Sequence, residues 1–208
     1  LSLSCAIPMG VIAAWKHGTI VDRAVMFTAV FGFSTPVFVI GYLLAYFFAL
    51  YLDWLPVQGF TSITVGLLPF LRNLILPATA LGLVYMALIA RITRASMLEV
   101  MGENHIRTAR AFGLPEFHII KSYALRIAIL PTITLLALAI GGLLSSAVFI
   151  ESIFARPGIG KLIVDAANMR NFPVVQGGVL TTVALFSLTM PLADLLVAWL
   201  DPRVRATL

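Results

Sequence analysis

Between Arg23 and Asp53 lie 29 residues without a charge. A stretch of that length exceeds the ~20 apolar residues that cross about 30 Å of hydrocarbon, and no soluble core helix needs it. It is not alone: residues 73–90, 127–150 and 174–200 repeat the pattern, the last interrupted only by Asp194. The runs are continuous rather than alternating, which selects helices over a barrel, because hydrocarbon tolerates only structures that satisfy their own backbone polar groups. Only 11% of the residues are charged, against about 25% in soluble domains, too few to cover a water-exposed surface. The expected fold is all-α: a single polytopic transmembrane domain over 1–208, with full spans near 24–52, 73–90, 127–150 and 174–200.

A fifth apolar run opens the chain. Leu1–Trp15 carries no charge but is short for a complete crossing, has no basic segment before it and no small-residue cleavage site after it. It is read as a partial span, the tail of a helix in an N-terminally truncated chain. Within the first full span, Pro36 after Ser34-Thr35 predicts a kink or the start of the span proper, and Tyr51, Asp53, Trp54 and Pro56 an interfacial anchor and turn. Residues 53–72 read as a loop, and Pro77 falls in the first turns of the span that follows. Gly141-Gly142 and Ser145-Ser146 suit close helix packing. Cys5, the single cysteine, excludes an internal disulfide and is expected to be a small buried hydrophobe.

Orientation follows from the cations. If the first run ends inside, the inner segments hold Lys16, Arg23, Arg91, Arg94, Arg107, Arg110, Lys121, Arg126, Arg203 and Arg205. The outer ones hold Arg72, Arg156, Lys161 and Arg170. Ten against four places 91–126 in the cytoplasm and 151–173 outside. The net charge of +5 is thereby a topology signal rather than a nucleic-acid one.

The chemistry the spans lack narrows the function. His17, His105 and His118 all fall in the inner segments, so no nucleophile–base pair and no metal pair at helical spacing lies in the membrane. Asp194 is the one charge inside a run, close to its inner end, where it caps, pairs with Arg203 or Arg205, or faces a partner helix. Gly158-Ile159-Gly160-Lys161 lacks the spacing of a phosphate-binding loop and reads as a turn after Pro157. The chain is therefore not expected to be an enzyme or to bind a cofactor, ATP or a metal. A path lined by such side chains has no internal means of driving uphill movement, so any energy comes from elsewhere. A passive channel or another transporter subunit remains the alternative.

The charges concentrate in one place. Arg107, Arg110, Glu116, Lys121 and Arg126 fall within 106–131, where Gly113 stands at the left-handed position past a helix end and Pro115 at the start of the next helix. The stretch resembles the cytoplasmic coupling segment of ABC-transporter permeases, whose general pattern is Glu-Ala-Ala, three residues, Gly, then Ile-x-Leu-Pro. Aligned on Gly113, the first three positions are Arg107, Thr108 and Ala109. They match the variant of the dipeptide/oligopeptide permease family, Arg-Thr-Ala-Arg-Ala-Lys-Gly-Leu, except that Phe112 replaces Lys. Phe154–Leu162 is similar to that family's Phe-x-x-Pro-Gly-Leu-Gly-Arg-Leu, and Arg170–Gly177 to its Arg-Asp-Tyr-Pro-Val-x-Gln-Gly. Arg94-Ala95-Ser96-Met97-Leu98 and the terminus Asp201-Pro202-Arg203 match as well.

The resemblance implies the B-type permease subunit of a type I ABC importer in a bacterial or archaeal cytoplasmic membrane. Its implied partners are a second, C-type permease subunit, two ABC ATPases that carry the ATP and Mg, a periplasmic or lipid-anchored binding protein, and membrane lipid, with no nucleic acid. It implies an ATPase-coupling element of Arg107, Thr108, Ala109, Arg110, Ala111, Gly113, Leu114 and Pro115. In that element Ala109 and Ala111 permit close approach, and Arg107 and Arg110 supply charged hydrogen bonds. Glu151, Arg156, Pro157, Gly158, Lys161 and Arg170 form a candidate docking loop for the binding protein. Dipeptides, longer peptides, glutathione-like peptides and nickel chelates all remain open as cargo.

Overall fold

The structure is a computed structural model. It describes the backbone of residues 2–200 and the side chains of that range other than 137, 138, 144, 190, 193, 194 and 196–200. The predicted roles of Asp194 and of Asp201-Pro202-Arg203 lie outside what is described.

Every regular element among the described residues is helical. α1 is Ser2–Trp15, α2 Ile20–Ser34, and α3 Val37–Leu44, continued by a π-helical segment Ala45–Tyr51. α4 runs Leu67–Met101 and α5 Asn104–Ala111. The single turn α6, Glu116–His118, passes through a second π segment, Ile119–Ala124, into α7, Leu125–Ile153. α8 is Ile159–Asn168 and α9 Phe172–Leu200. By length and composition Leu67–Met101, Glu116–Leu136 and Phe172–Thr189 can each cross a membrane. The broken pair Ile20–Ser34 and Val37–Tyr51 counts as a fourth only if its two helices form one span.

Several boundaries differ from those expected of the sequence. The 24–52 stretch is not one helix: α2 ends at Ser34 and α3 starts at Val37, because Pro36 holds an extended backbone (ψ 140°) and gives no N–H to the preceding turn. The 53–72 loop ends early. α4 begins at Leu67, so Pro77 is an interior residue of a 35-residue helix rather than one of its first turns. The same helix continues past Ala90 to Met101, so Arg91 and Arg94 ride on it. The segment 151–173 is likewise mostly helical, being the end of α7 and all of α8.

The chain divides into two compact units. One holds 35–84 and 139–190; its core gathers Ala45, Ala49, Leu76, Ala80, Ile150 and Phe154. Gly141 lies so close to the Phe186 ring that a Cβ there would overlap it, which bears out the close packing expected of the Gly141-Gly142 stretch. The other unit holds 2–34, 85–138 and 191–200. Its main core gathers Met97, Val100, Ile106, Ile119, Ile120, Ala124 and Ala128 with Ala14. α1 packs through a stripe of small residues, Ala6, Gly10, Ala13 and Ala14. A Cβ on Gly10 would stand 2.7 Å from the Ala90 carbonyl oxygen and from Thr93 Cβ, so only glycine permits this approach to α4. Cys5 is exposed, contrary to expectation, because that stripe excludes its position.

Candidate functional site

The corner between α5 and α6 is built by its own sequence. α5 turns Ile106 and Ala109 into the core and leaves Arg107, Thr108, Arg110 and Ala111 outside. It ends in a Schellman motif: Gly113, at φ 75°, donates its N–H to the Arg110 carbonyl (2.9 Å), and Leu114 donates to the Ala109 carbonyl (3.4 Å). Leu114 completes the motif by packing on the core cluster. Pro115 is extended (ψ 138°) and caps α6, placing Glu116 in its first turn. Arg110 then reaches across the corner, donating from Nε (3.1 Å) and Nη2 (2.6 Å) to the two oxygens of Glu116. Glu116 raises the Arg110 pKa above its ordinary value. Both side chains are about 40% exposed, so this fork adds only about 0.2–1 kcal/mol. Its effect is to hold the angle between the two helices.

The eight expected coupling residues thus separate. Arg107, Thr108, Arg110, Ala111, Gly113 and Pro115 are on the outside of one corner. Ala109 is 5% exposed and Leu114 faces inward, so neither is available to a partner. Ala109 does admit close helix approach, but to the helices of its own core, where it packs with Met97, Ile106 and Ile119. Two residues were missed. Phe112 is 80% and Phe117 66% exposed, flanking the corner with aromatic rings. The signal was Phe112 itself, standing where the resembling pattern carries Lys.

The 151–173 segment is also engaged with itself. Gly158 caps α8 without a side chain, and Glu151 supplies the missing acceptor, taking the Lys161 backbone N–H at Oε2 (3.0 Å). A Cβ on Gly158 would overlap the Glu151 carboxylate, and one on Gly160 would lie 2.6 Å from Val148 Cα. The Gly-x-Gly is therefore a seat for α8 on α7. Lys161 Nζ pairs with Asp165 Oδ2 (2.8 Å). Arg156 Nη1 donates to the Asn73 carbonyl (3.0 Å). Of the six expected docking residues, Glu151, Arg156 and Lys161 have internal partners; Arg170 is exposed, and Pro157 stands on the turn between α7 and α8. A cavity of about 470 Å³ opens among α7, α8 and α9, with Glu151, Ser145 and Thr182 as polar groups on a mainly apolar wall.

Both ends of this segment repeat the α5 corner without glycine. Ala155 (φ 47°) closes α7, with Arg156 N–H to the Glu151 carbonyl (2.9 Å); Arg170 (φ 57°) closes α8, with Asn171 N–H to the Ala166 carbonyl (2.8 Å). A side chain in the left-handed region costs roughly 1–2 kcal/mol. Arg170→Gly is therefore expected to stabilise the chain by about 0.5–1 kcal/mol, after the entropy glycine restores to the unfolded state. Denaturant unfolding in detergent measures this.

A second polar cluster was not foreseen. Asp22, 4% exposed, accepts from Arg94 Nε, from Arg94 Nη2 (2.7 Å) and from the Gly18 N–H (3.0 Å). His17 Nδ1 lies 3.2 Å from Asp22 Oδ2 and 3.1 Å from Arg94 Nη2. The α1–α2 turn is tied by this cluster to α4.

The chain matches known proteins over nearly its whole length. A family model described as "Binding-protein-dependent transport system inner membrane component" covers residues 6–206. The chain is 44% identical over 205 residues to a probable peptide ABC transporter permease protein of Sinorhizobium fredii, covering 99% of this chain and 66% of that protein. It is 40% identical over 216 residues to the di/tripeptide transport system permease protein of Pseudomonas aeruginosa, covering 94% and 64%. It is 39% identical over 222 residues to the dipeptide transport system permease protein of Escherichia coli, covering 96% and 66%. The chain spans about two thirds of the length of these relatives. With its helices, its apolar spans and this match together, the chain belongs to the family of binding-protein-dependent transport system inner membrane components.

Proposed function

We propose that this chain is the permease subunit of an ATP-driven importer for peptides or related small solutes in a bacterial cytoplasmic membrane. It forms half of the translocation pore with a second permease subunit. Two ABC ATPases drive it, a periplasmic or lipid-anchored binding protein feeds it, and it neither hydrolyses ATP nor holds a cofactor. The names of the relatives support the solute class. The observation that carries the mechanism is the α5–α6 corner, a rigid, charged knob whose outer face carries Arg107, Thr108, Ala111 and Phe112. Such a knob, seated in an ATPase cleft, moves with it. Closure of the ATPase pair on ATP then shifts the permease between inward- and outward-facing states, with the differential affinity of ATP for the two supplying the free energy.

Phe112 is the anchor of that contact, because a large exposed aromatic beside a cation is the residue type that dominates interfaces. Phe112→Asp is expected to leave folding intact and to lower recovery of the ATPases with the full-length chain at least about tenfold, in affinity purification from mild detergent. Arg110→Glu opposes two carboxylates across the corner; adding Glu116→Arg is expected to restore the fork and with it assembly. Undiminished ATPase recovery and uptake in Phe112→Asp would sink the coupling role.

A further inference from the structure

We propose that Arg156 is a positioning residue that supplies α4 with the hydrogen bond its own Pro77 removes. Pro77 lies inside α4 and has no N–H, so the carbonyl four residues earlier, that of Asn73, loses its helical donor. The site is partly buried, and an unpaired carbonyl there costs free energy. Arg156, on the turn after α7, places Nη1 at 3.0 Å from that same oxygen. A charged donor is stronger than the amide it replaces.

The surroundings fit this one contact. Arg156 Cζ stands 5.5 Å from the centroid of the Phe60 ring, in cation–π range. The side chain of Asn73 donates from Nδ2 to Thr61 Oγ1 (2.6 Å), so both the main chain and the side chain of Asn73 are engaged. The backbone that presents Arg156 is fixed on both sides, by Ala155 at φ 47° and by Pro157. Three segments, the 60–61 loop, α4 at Asn73 and the 154–157 turn, therefore meet on a single guanidinium. A lysine offers a point charge without the planar fork that stacks on Phe60 and points at Asn73 together. This internal role of Arg156 does not depend on what the chain transports.

The test is a double-mutant cycle in the full-length chain within its membrane complex. Arg156→Met keeps length and removes the donor, and Pro77→Ala returns an N–H to the Asn73 carbonyl. Arg156→Met is expected to lower the thermal midpoint by several degrees and uptake several-fold when Pro77 is present. Both losses are expected to shrink to less than half when Pro77→Ala is also present. Pro77→Leu restores the same N–H with a different side chain and must give the same rescue, which keeps the test sound if Pro77→Ala assembles poorly. Equal losses in the proline and non-proline backgrounds would overturn the proposal. So would full recovery by Arg156→Lys, which would show that charge alone is needed.

Discussion

Replacing Arg94 by alanine is expected to destabilise the chain by about 3–5 kcal/mol, the range for removing one partner of a buried ion pair. Asp22 is nearly inaccessible, and three of its contacts come from Arg94 and His17. Without the guanidinium, the carboxylate keeps only the Gly18 N–H and the His17 ring. Asp22→Asn is expected to cost less, since a neutral amide can still accept from Arg94 and leaves the partner cation 19% exposed, with a route to water. Asp22→Leu with Arg94→Met is expected to recover much of the loss, because replacing both charges by apolar groups removes their desolvation as well as their attraction. Unfolding of the full-length chain against SDS mole fraction gives the four stabilities. If Arg94→Ala proves as mild as an exposed substitution, Asp22 is not buried as described.

Gly160→Val is the second large effect. The steric neighbour is the Val148 backbone, which cannot rotate away, so α8 must lift from α7 at a cost of about 2–3 kcal/mol. Lifting α8 also takes the Lys161 N–H from Glu151. Two graded controls accompany it. Glu151→Ala removes only the cap, for about 1 kcal/mol. Lys161→Ala leaves the backbone donor in place and breaks one exposed pair, for well under 1 kcal/mol. The losses in thermal midpoint, largest for Gly160→Val, then Glu151→Ala, then Lys161→Ala, check the seat. Equal effects from all three would mean that α8 is held by its charges.

The all-helical, membrane-length character was legible because hydrocarbon reads composition over some 20 residues, but the 29 uncharged positions fold as two helices broken at Pro36 rather than as one. The α5–α6 corner was legible because glycine and proline mark backbone geometry locally: Gly113 does adopt a positive φ, and Pro115 does precede a helix. What could not be read was pairing at long separation. Nothing near Asp22 announces Arg94, 72 residues away, and nothing near Arg156 announces the carbonyl of Asn73. Which face of α5 turns inward depends on Met97, Val100 and Ile119 arriving beneath it, so Ala109 and Ala111 looked equivalent in sequence. Corners at Ala155 and Arg170 carry no glycine and gave no sign.

The two π segments have a consequence for helical phase. An α-helix advances about 100° per residue, so residues four apart drift steadily around its axis. Yet Gly41, Ala45 and Ala49 are all buried, and so are Ile120, Ala124, Ala128 and Thr132, each set in steps of four. A π turn holds one residue more than an α turn, and it turns the helix back against that drift. Ala45–Tyr51 and Ile119–Ala124 act as phase correctors, keeping a four-residue rhythm of mostly small side chains on one line. Deleting one residue from either segment would yield a more regular helix, in which side chains four apart leave that line by about 40° at each step.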